Sequence, residues 1–247
     1  MSFEKIHILG DTVAETDLYK QHHFPEMLVM YDSNYIQFKR LPSLKEFIEA
    51  ETYLQNFHAR YEQNHVKFYF PENEKLTEEL DNYLNKTGYD IGFMELYSIQ
   101  ASEFPEIKHH RDIEVEVVTE KNIDEFLTIN YQQSLDFGKK FAKQKRKLIQ
   151  RQFNDPSYLQ LLAYYKGIPA GVVHVIVSDE TAEIDNLTVE ESFQKNGVGS
   201  ALQKKVMDTF PNKTIILIAD GEDTARNMYK KQNYQYWGYR FEALETF

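Results

Sequence analysis

The chain is 247 residues long, contains no cysteine, is 14% aromatic and carries a formal net charge of −11. That length supplies a core for one or two domains, the aromatic content argues for a folded protein, and the missing cysteines exclude disulfides, thiol nucleophiles and thiolate metal sites together. The charge is uneven: residues 1–104 hold 9 Lys/Arg against 18 Asp/Glu and the remainder 19 against 21, which disfavours nucleic acid and anionic membranes and suits a cationic partner, although solubility alone accounts for it equally well. No apolar run reaches the length of a membrane span, and Met1 to Gly10 lacks a basic region followed by an apolar core, so a cytoplasmic location is expected.

In chain order, residues 1–24 read as a helical or irregular lead-in with Asp11 or Thr12 as a cap. Met27 to Met30 and Asn34 to Phe38 read as a β-hairpin turned at Asp32-Ser33. Ser43 followed by Glu46 is a capping box, and Leu44, Phe47, Ile48 and Leu54 continue it at helical spacing. Val66 to Phe70 is a strand, Glu74 to Asn85 a helix closed by Gly88, and Gly92 to Ile99 a strand. A boundary falls near Phe104-Pro105, giving domains 1–104 and 105–247. Beyond it come a strand (Ile113 to Val118), a helix (Asn122 to Tyr131), a basic helical stretch (139–151) and a strand pair (Leu159 to Tyr164, Gly171 to Val177) turned at Lys166-Gly167.

Ile184 to Val189 is strand-like, and after Gln194, Lys195, Asn196, Gly197, Val198 and Gly199 the residues Val198, Leu202, Val206 and Phe210 recur every four positions. Strand, glycine loop and amphipathic helix make a phosphate cradle, because glycine lets the backbone approach a ligand and the helix presents free N–H groups and its positive dipole end. The rival, a hairpin turn at Asn196-Gly197, conflicts with the period of four. The loop is neither a P-loop nor a dinucleotide fingerprint. A strand (Ile215 to Ala219), a helix (223–232) and a last strand (Tyr236 to Leu244) close the chain.

The loop resembles the Gln-x-x-Gly-x-Gly pyrophosphate loop of the GNAT superfamily of N-acetyltransferases, which use acetyl-coenzyme A. The stretch Thr224 to Tyr234 resembles the family's Ala-x-x-x-Tyr-x-x-x-Gly-Phe helix, with Tyr229 and Tyr234 in their places. Asn233 stands where glycine is usual, a place asparagine fits because it best tolerates a left-handed helix cap among non-glycine residues, and Glu222 stands where asparagine is common. The resemblance covers roughly residues 112–247 and implies an α/β fold with a mixed, mainly antiparallel twisted sheet flanked by helices. It also implies acetyl-coenzyme A bound by Gln194 to Ser200, through Lys195, Asn196, Gly197, Val198 and Gly199, and by the backbone of Leu187, Thr188 and Val189. Glu183 holds the place of the general base in the histone-acetylating branch, eleven residues before Gln194, with Asp185 as runner-up; a plain surface carboxylate is the bland reading of either. Tyr229 would be the acid that protonates the leaving thiolate, since a phenol with pKa of about 10 stays protonated at neutral pH.

The first half repeats the element order of the second, and Tyr83 to Tyr89 parallels Met228 to Tyr234. The expectation is a degenerate acetyltransferase-like copy, with Lys39-Arg40-Leu41-Pro42 in place of glycines and Leu84 in place of Tyr229; chance similarity of two α/β halves is the alternative. The basic stretch 139–151 reads as a solvated face, or as a segment near substrate or cofactor. The His22-His23 and His109-His110 pairs make no ligand pair on a strand, His174 reads as a satisfied core histidine, and no metal site is expected. The reading is direct acetyl transfer to a primary amine, a cationic small molecule or peptide. Its rivals are a non-catalytic coenzyme A-binding or interaction module and an aminoacyl transfer from tRNA, which the acidic first half opposes.

Overall fold

The computed structural model describes residues 1–107, 110–222 and 225–247. Two compact units divide the chain: Met1–Leu96 with Ala219–Arg226 and Trp237–Phe247, and Tyr97–Ile218 with Asn227–Tyr236.

The first unit opens with strands β1 (Asp11–Glu15) and β2 (Tyr19–His23), an antiparallel hairpin where the sequence suggested a helical or irregular lead-in. The alternation was hidden because β1 is largely exposed and the buried positions of β2 are Gln21, His22 and His23 rather than aliphatic residues. The second expected strand, Met27 to Met30, is absent: short 3-10 turns occupy Pro25–Met27 and Tyr31–Ser33. Asn34 organises them, accepting from Phe24 N and donating to the Met27 and Met30 carbonyls. Strand β3 (Tyr35–Phe38), helix α1 (Leu44–Ala59), strand β4 (His65–Glu72), helix α2 (Glu78–Thr87) and strand β5 (Asp90–Gln100) then follow as read, except that α2 starts at its Thr77 cap and not at Glu74. Ser43 and Glu46 form the capping box, and Gly88 closes α2 at φ 89°. Phe38, Phe47, Phe68, Phe70, Leu80 and Leu84 fill the core on the helix side of the sheet.

The second unit holds β6 (Ile113–Val117), α3 (Ile123–Ser134), α4 (Lys139–Gln152), β7 (Tyr158–Tyr165), β8 (Ile168–Val177), β9 (Thr181–Val189), α5 (Val198–Thr209) and β10 (Thr214–Asp220, to Ile218). Lys166 and Gly167, both at positive φ, turn β7 into β8. Helix α6 (Ala225–Lys231) and strand β11 (Gln235–Thr246) pass from one unit's residues to the other's.

Strand order is β1-β2-β3-β4-β11-β5 in the first unit and β5-β10-β9-β8-β7-β6 in the second. Strands β3 and β4 pair in parallel, as do β9 and β10, each pair bridged by a helix, so the expected mixed α/β architecture is present. In the first unit β11 is inserted antiparallel beside β4, between it and β5.

Candidate active site

Strands β9 and β10 pair from Thr181↔Thr214 only as far as Glu183↔Ile216, although both run on beyond that point. On its other edge β9 stays paired to β8 up to Val189↔Gly171. Between His174↔Asn186 and Val175↔Ile184 the register shifts, so Asp185 is the extra residue of a β-bulge. A bulge bends its strand and sharpens its twist, which accounts for β9 leaving β10 here. The backbone of Leu187, Thr188 and Val189 thus faces a gap on the β10 side, in reach of an extended ligand that adds like a strand.

The gap leads to the glycine loop. Lys195 (φ 62°) and Gly197 (φ 89°) are left-handed, and Gly197 is the N-cap of α5 with no side-chain cap bond. The first intrahelical bond is Ala201 N to Gly197 O at 3.0 Å, so the N–H groups of Val198, Gly199 and Ser200 lie ahead of it. Gln194 Nε2 donates to Val189 O at 3.4 Å and Asn196 Nδ2 to Gln194 O at 3.3 Å, tying the loop to the strand end. A groove along α5 adds Lys204 and Lys205 beside Asn196, Gly197 and Ser200. Open N–H groups, a dipole end and two lysines fit a pyrophosphate.

The two candidate bases differ in exposure. Glu183 is 5% exposed, whereas Asp185 is exposed and its Oδ2 lies 3.5 Å from His174 Nδ1. His174 is buried, with its Nε2 3.4 Å from Gln160 Nε2 and its ring stacked on Tyr158. Gln160 Nε2 also donates to Ile149 O at 3.1 Å. An amide nitrogen is a donor, so His174 Nε2 accepts and the ring proton sits on Nδ1, toward Asp185. Burial, reinforced by Asp155 and Asp185, raises the Tyr158 hydroxyl above its ordinary pKa.

Tyr229 is half-buried, its ring 5.3 Å from that of Tyr97 and 5.4 Å from that of Tyr234. Tyr234 donates to Gln203 Oε1 at 2.8 Å, and burial holds its hydroxyl well above the usual range. Asn233 takes the left-handed cap conformation (φ 67°) that the sequence assigned to it. Gln232 Nε2 reaches the Ser200 hydroxyl at 3.2 Å, joining the chain after α6 to the first turn of α5. Thr224 and His109 lie outside the described residues.

Sequence reasoning missed a polar set next to the bulge. Asn186 Nδ2 donates to Asn130 Oδ1 at 3.2 Å and Thr188 Oγ1 to Asn186 Oδ1 at 3.3 Å. Two asparagines 56 positions apart give no local signal.

A family model described as an acetyltransferase (GNAT) domain matches residues 119–243, about half of the chain. The chain belongs to the GNAT acetyltransferase family. A domain of unknown function, DUF5613, matches residues 1–97 of this GNAT protein. A functionally unknown conserved protein from Staphylococcus epidermidis is 32% identical, with TM-score 0.93, over 100% of this chain and 98% of that one. The GCN5-related N-acetyltransferase from Kribbella flavida shares the fold at 12% identity and TM-score 0.63, over 96% and 90% of the two chains. A tandem GNAT protein from the clavulanic acid biosynthesis pathway does so at 7% and 0.54, over 86% and 75%. Comparison with curated proteins finds no match. The GNAT fold supports an acyl-CoA-dependent N-acetyltransferase in general, and the tandem arrangement read from the repeat has a structural counterpart. No helix among the described residues is long and apolar enough to cross a membrane.

Proposed function

We propose that this GNAT protein transfers the acetyl group of acetyl-coenzyme A directly to a primary amine, with residues 105–247 catalytic and residues 1–104 a degenerate copy. The observation that carries this reading is the uncapped N-terminus of α5 behind left-handed Gly197, next to the gap that opens after Glu183↔Ile216. Bound acetyl-coenzyme A would supply an activated acyl thioester. The N–H groups of Val198, Gly199 and Ser200 hold its pyrophosphate, and the free backbone edge of Leu187 to Val189 holds the pantetheine arm.

Glu183 removes a proton from the acceptor ammonium; Asp185, oriented by His174, is the second candidate base. A carboxylate near pKa ~4.3 is a weak base for an ammonium near ~10, so either residue would need burial or an intervening water to assist it, and of the two Glu183 is the buried one, at 5% exposure. Tyr229 holds the proton that the departing thiolate takes. The net charge of −11 attracts a cationic acceptor, and that attraction weakens with salt over a screening length of about 8–10 Å.

Thiol release from acetyl-coenzyme A, measured across polyamines, basic peptides, amino acids and aminoglycosides, tests the reading. The expected result is turnover with a cationic amine that slows as ionic strength rises. Background rates with every amine, together with coenzyme A binding, would favour a non-catalytic binding module.

A further inference from the structure

Arg240, on β11 in the first unit, is 7% exposed, and its Nε is fully buried with no hydrogen-bond partner. Among the described residues no carboxylate lies within ion-pair distance of its guanidinium. The neighbouring acids are engaged elsewhere. Asp32 is bound by Lys67 Nζ and the Tyr69 hydroxyl, Glu242 Oε2 lies 3.1 Å from Lys67 Nζ, and Glu72, across the ladder from Arg240, accepts from Phe3 N at 2.7 Å. The guanidinium sits between two aromatic rings, 4.0 Å from the Tyr69 centroid and 4.7 Å from that of Phe3. Ring faces stabilise a cation but accept none of its five N–H bonds in good geometry.

Two further polar groups flank it. His22 is 3% exposed with a buried, unpaired Nε2, its Nδ1 lying 3.4 Å from Thr12 Oγ1, and Tyr35 is 3% exposed. Their rings lie 4.8 Å apart, and Tyr35 meets the Tyr69 ring edge-on at 4.8 Å. Arg240 acts electrostatically on both His22 and Tyr35. A buried cation with no ion-pair partner carries a desolvation cost that a coordinated anion would offset.

We propose that Arg240, with Tyr35 and His22, forms a buried receptor in the first unit for a small oxyanion, the carboxylate or phosphate of a metabolite. The planar fork of arginine takes two oxygens of such a group side by side, and a phenol at this position adds a third donor. Phe3, held by Glu72, covers the site from the N-terminal segment. This site is separate in residues from the α5 loop and does not depend on acetyl transfer.

The test is thermal unfolding of the full chain at matched ionic strength in chloride, inorganic phosphate or acetate. Phosphate, acetate or both should raise the midpoint of the wild type saturably, and the more effective anion identifies the group. Arg240→Met should lose the saturable rise while folding at least as well as the wild type in chloride, because it removes a buried charge that has no ion-pair partner. Tyr35→Phe should shift the anion titration to higher concentration. Equal rises in wild type and Arg240→Met would assign the anion to the α5 loop and overturn the proposal, as would no rise with either anion. If Arg240→Met does not fold, Arg240→Lys and Tyr35→Phe decide, and anion titrations identical to the wild type in both reject the site.

Discussion

The Ser43 hydroxyl takes the Glu46 backbone N–H at 3.4 Å, and the Glu46 carboxylate returns to Ser43 N at 2.9 Å. Helix α1 therefore closes its own N-terminus, and Arg40 draws the Glu46 carboxyl down to about pKa 2. Helix α5, at the corresponding place of the second half, has only Gly197 ahead of it. One coenzyme A per chain should bind, as read by calorimetric titration; a stoichiometry of two would overturn the degenerate reading of the first half. Ser43→Ala should cost about 0.5–2 kcal/mol of stability and leave coenzyme A affinity unchanged.

Gly199 separates cofactor binding from folding better than Gly197 does. A side chain at Gly197 is strained by φ 89° whatever it touches, whereas a Cβ at Gly199 meets only Val189 Cγ2 at 3.5 Å and Leu187 Cδ2 at 3.6 Å. A larger residue there projects beside the edge of β9 proposed for the pantetheine arm. Gly199→Leu should weaken coenzyme A binding at least tenfold with little loss of thermal stability; wild-type affinity by calorimetry would reject the loop assignment.

The Tyr229 ring packs between those of Tyr97 and Tyr234, so Tyr229→Phe keeps the packing and removes only the hydroxyl. The turnover number should fall roughly 10²- to 10⁴-fold with coenzyme A affinity retained. An unchanged turnover number, with chemistry shown to be rate-limiting, removes Tyr229 from the reaction.

Glu183→Gln should slow acetyl transfer, with partial recovery at high pH as the amine loses its proton unaided. Should Asp185→Asn show that pH signature and Glu183→Gln not, the base is the bulge residue.

The first unit should be acid-labile. Burial lowers His22 to about pKa 4 and His65 to about 3, from 6.5. With folded values below unfolded ones, the stability contribution is complete above pH 6.5 and is lost as pH falls toward 4 and 3, because the unfolded chain binds the protons first. Between pH 6.5 and 5 each should cost on the order of 2 kcal/mol. Urea midpoints at pH 7.5 and 5 check this; equal midpoints would show that these histidines titrate normally.

The capping box of α1, the Gly88 stop, the Asn233 cap and the strand–glycine–helix unit at Gly197 were legible in the sequence because each is settled by residues within a few positions of one another. The buried histidine face of β2 was not legible, since a polar residue looks the same in sequence whether a sheet covers it or not. The end of β9–β10 pairing at Glu183, the bulge at Asp185, the insertion of β11 beside β4 and the buried, unpaired Nε of Arg240 were decided by tertiary structure alone. Strand register and burial depend on partners tens to more than a hundred residues away, and no short-range pattern records which residue a distant strand will bring opposite.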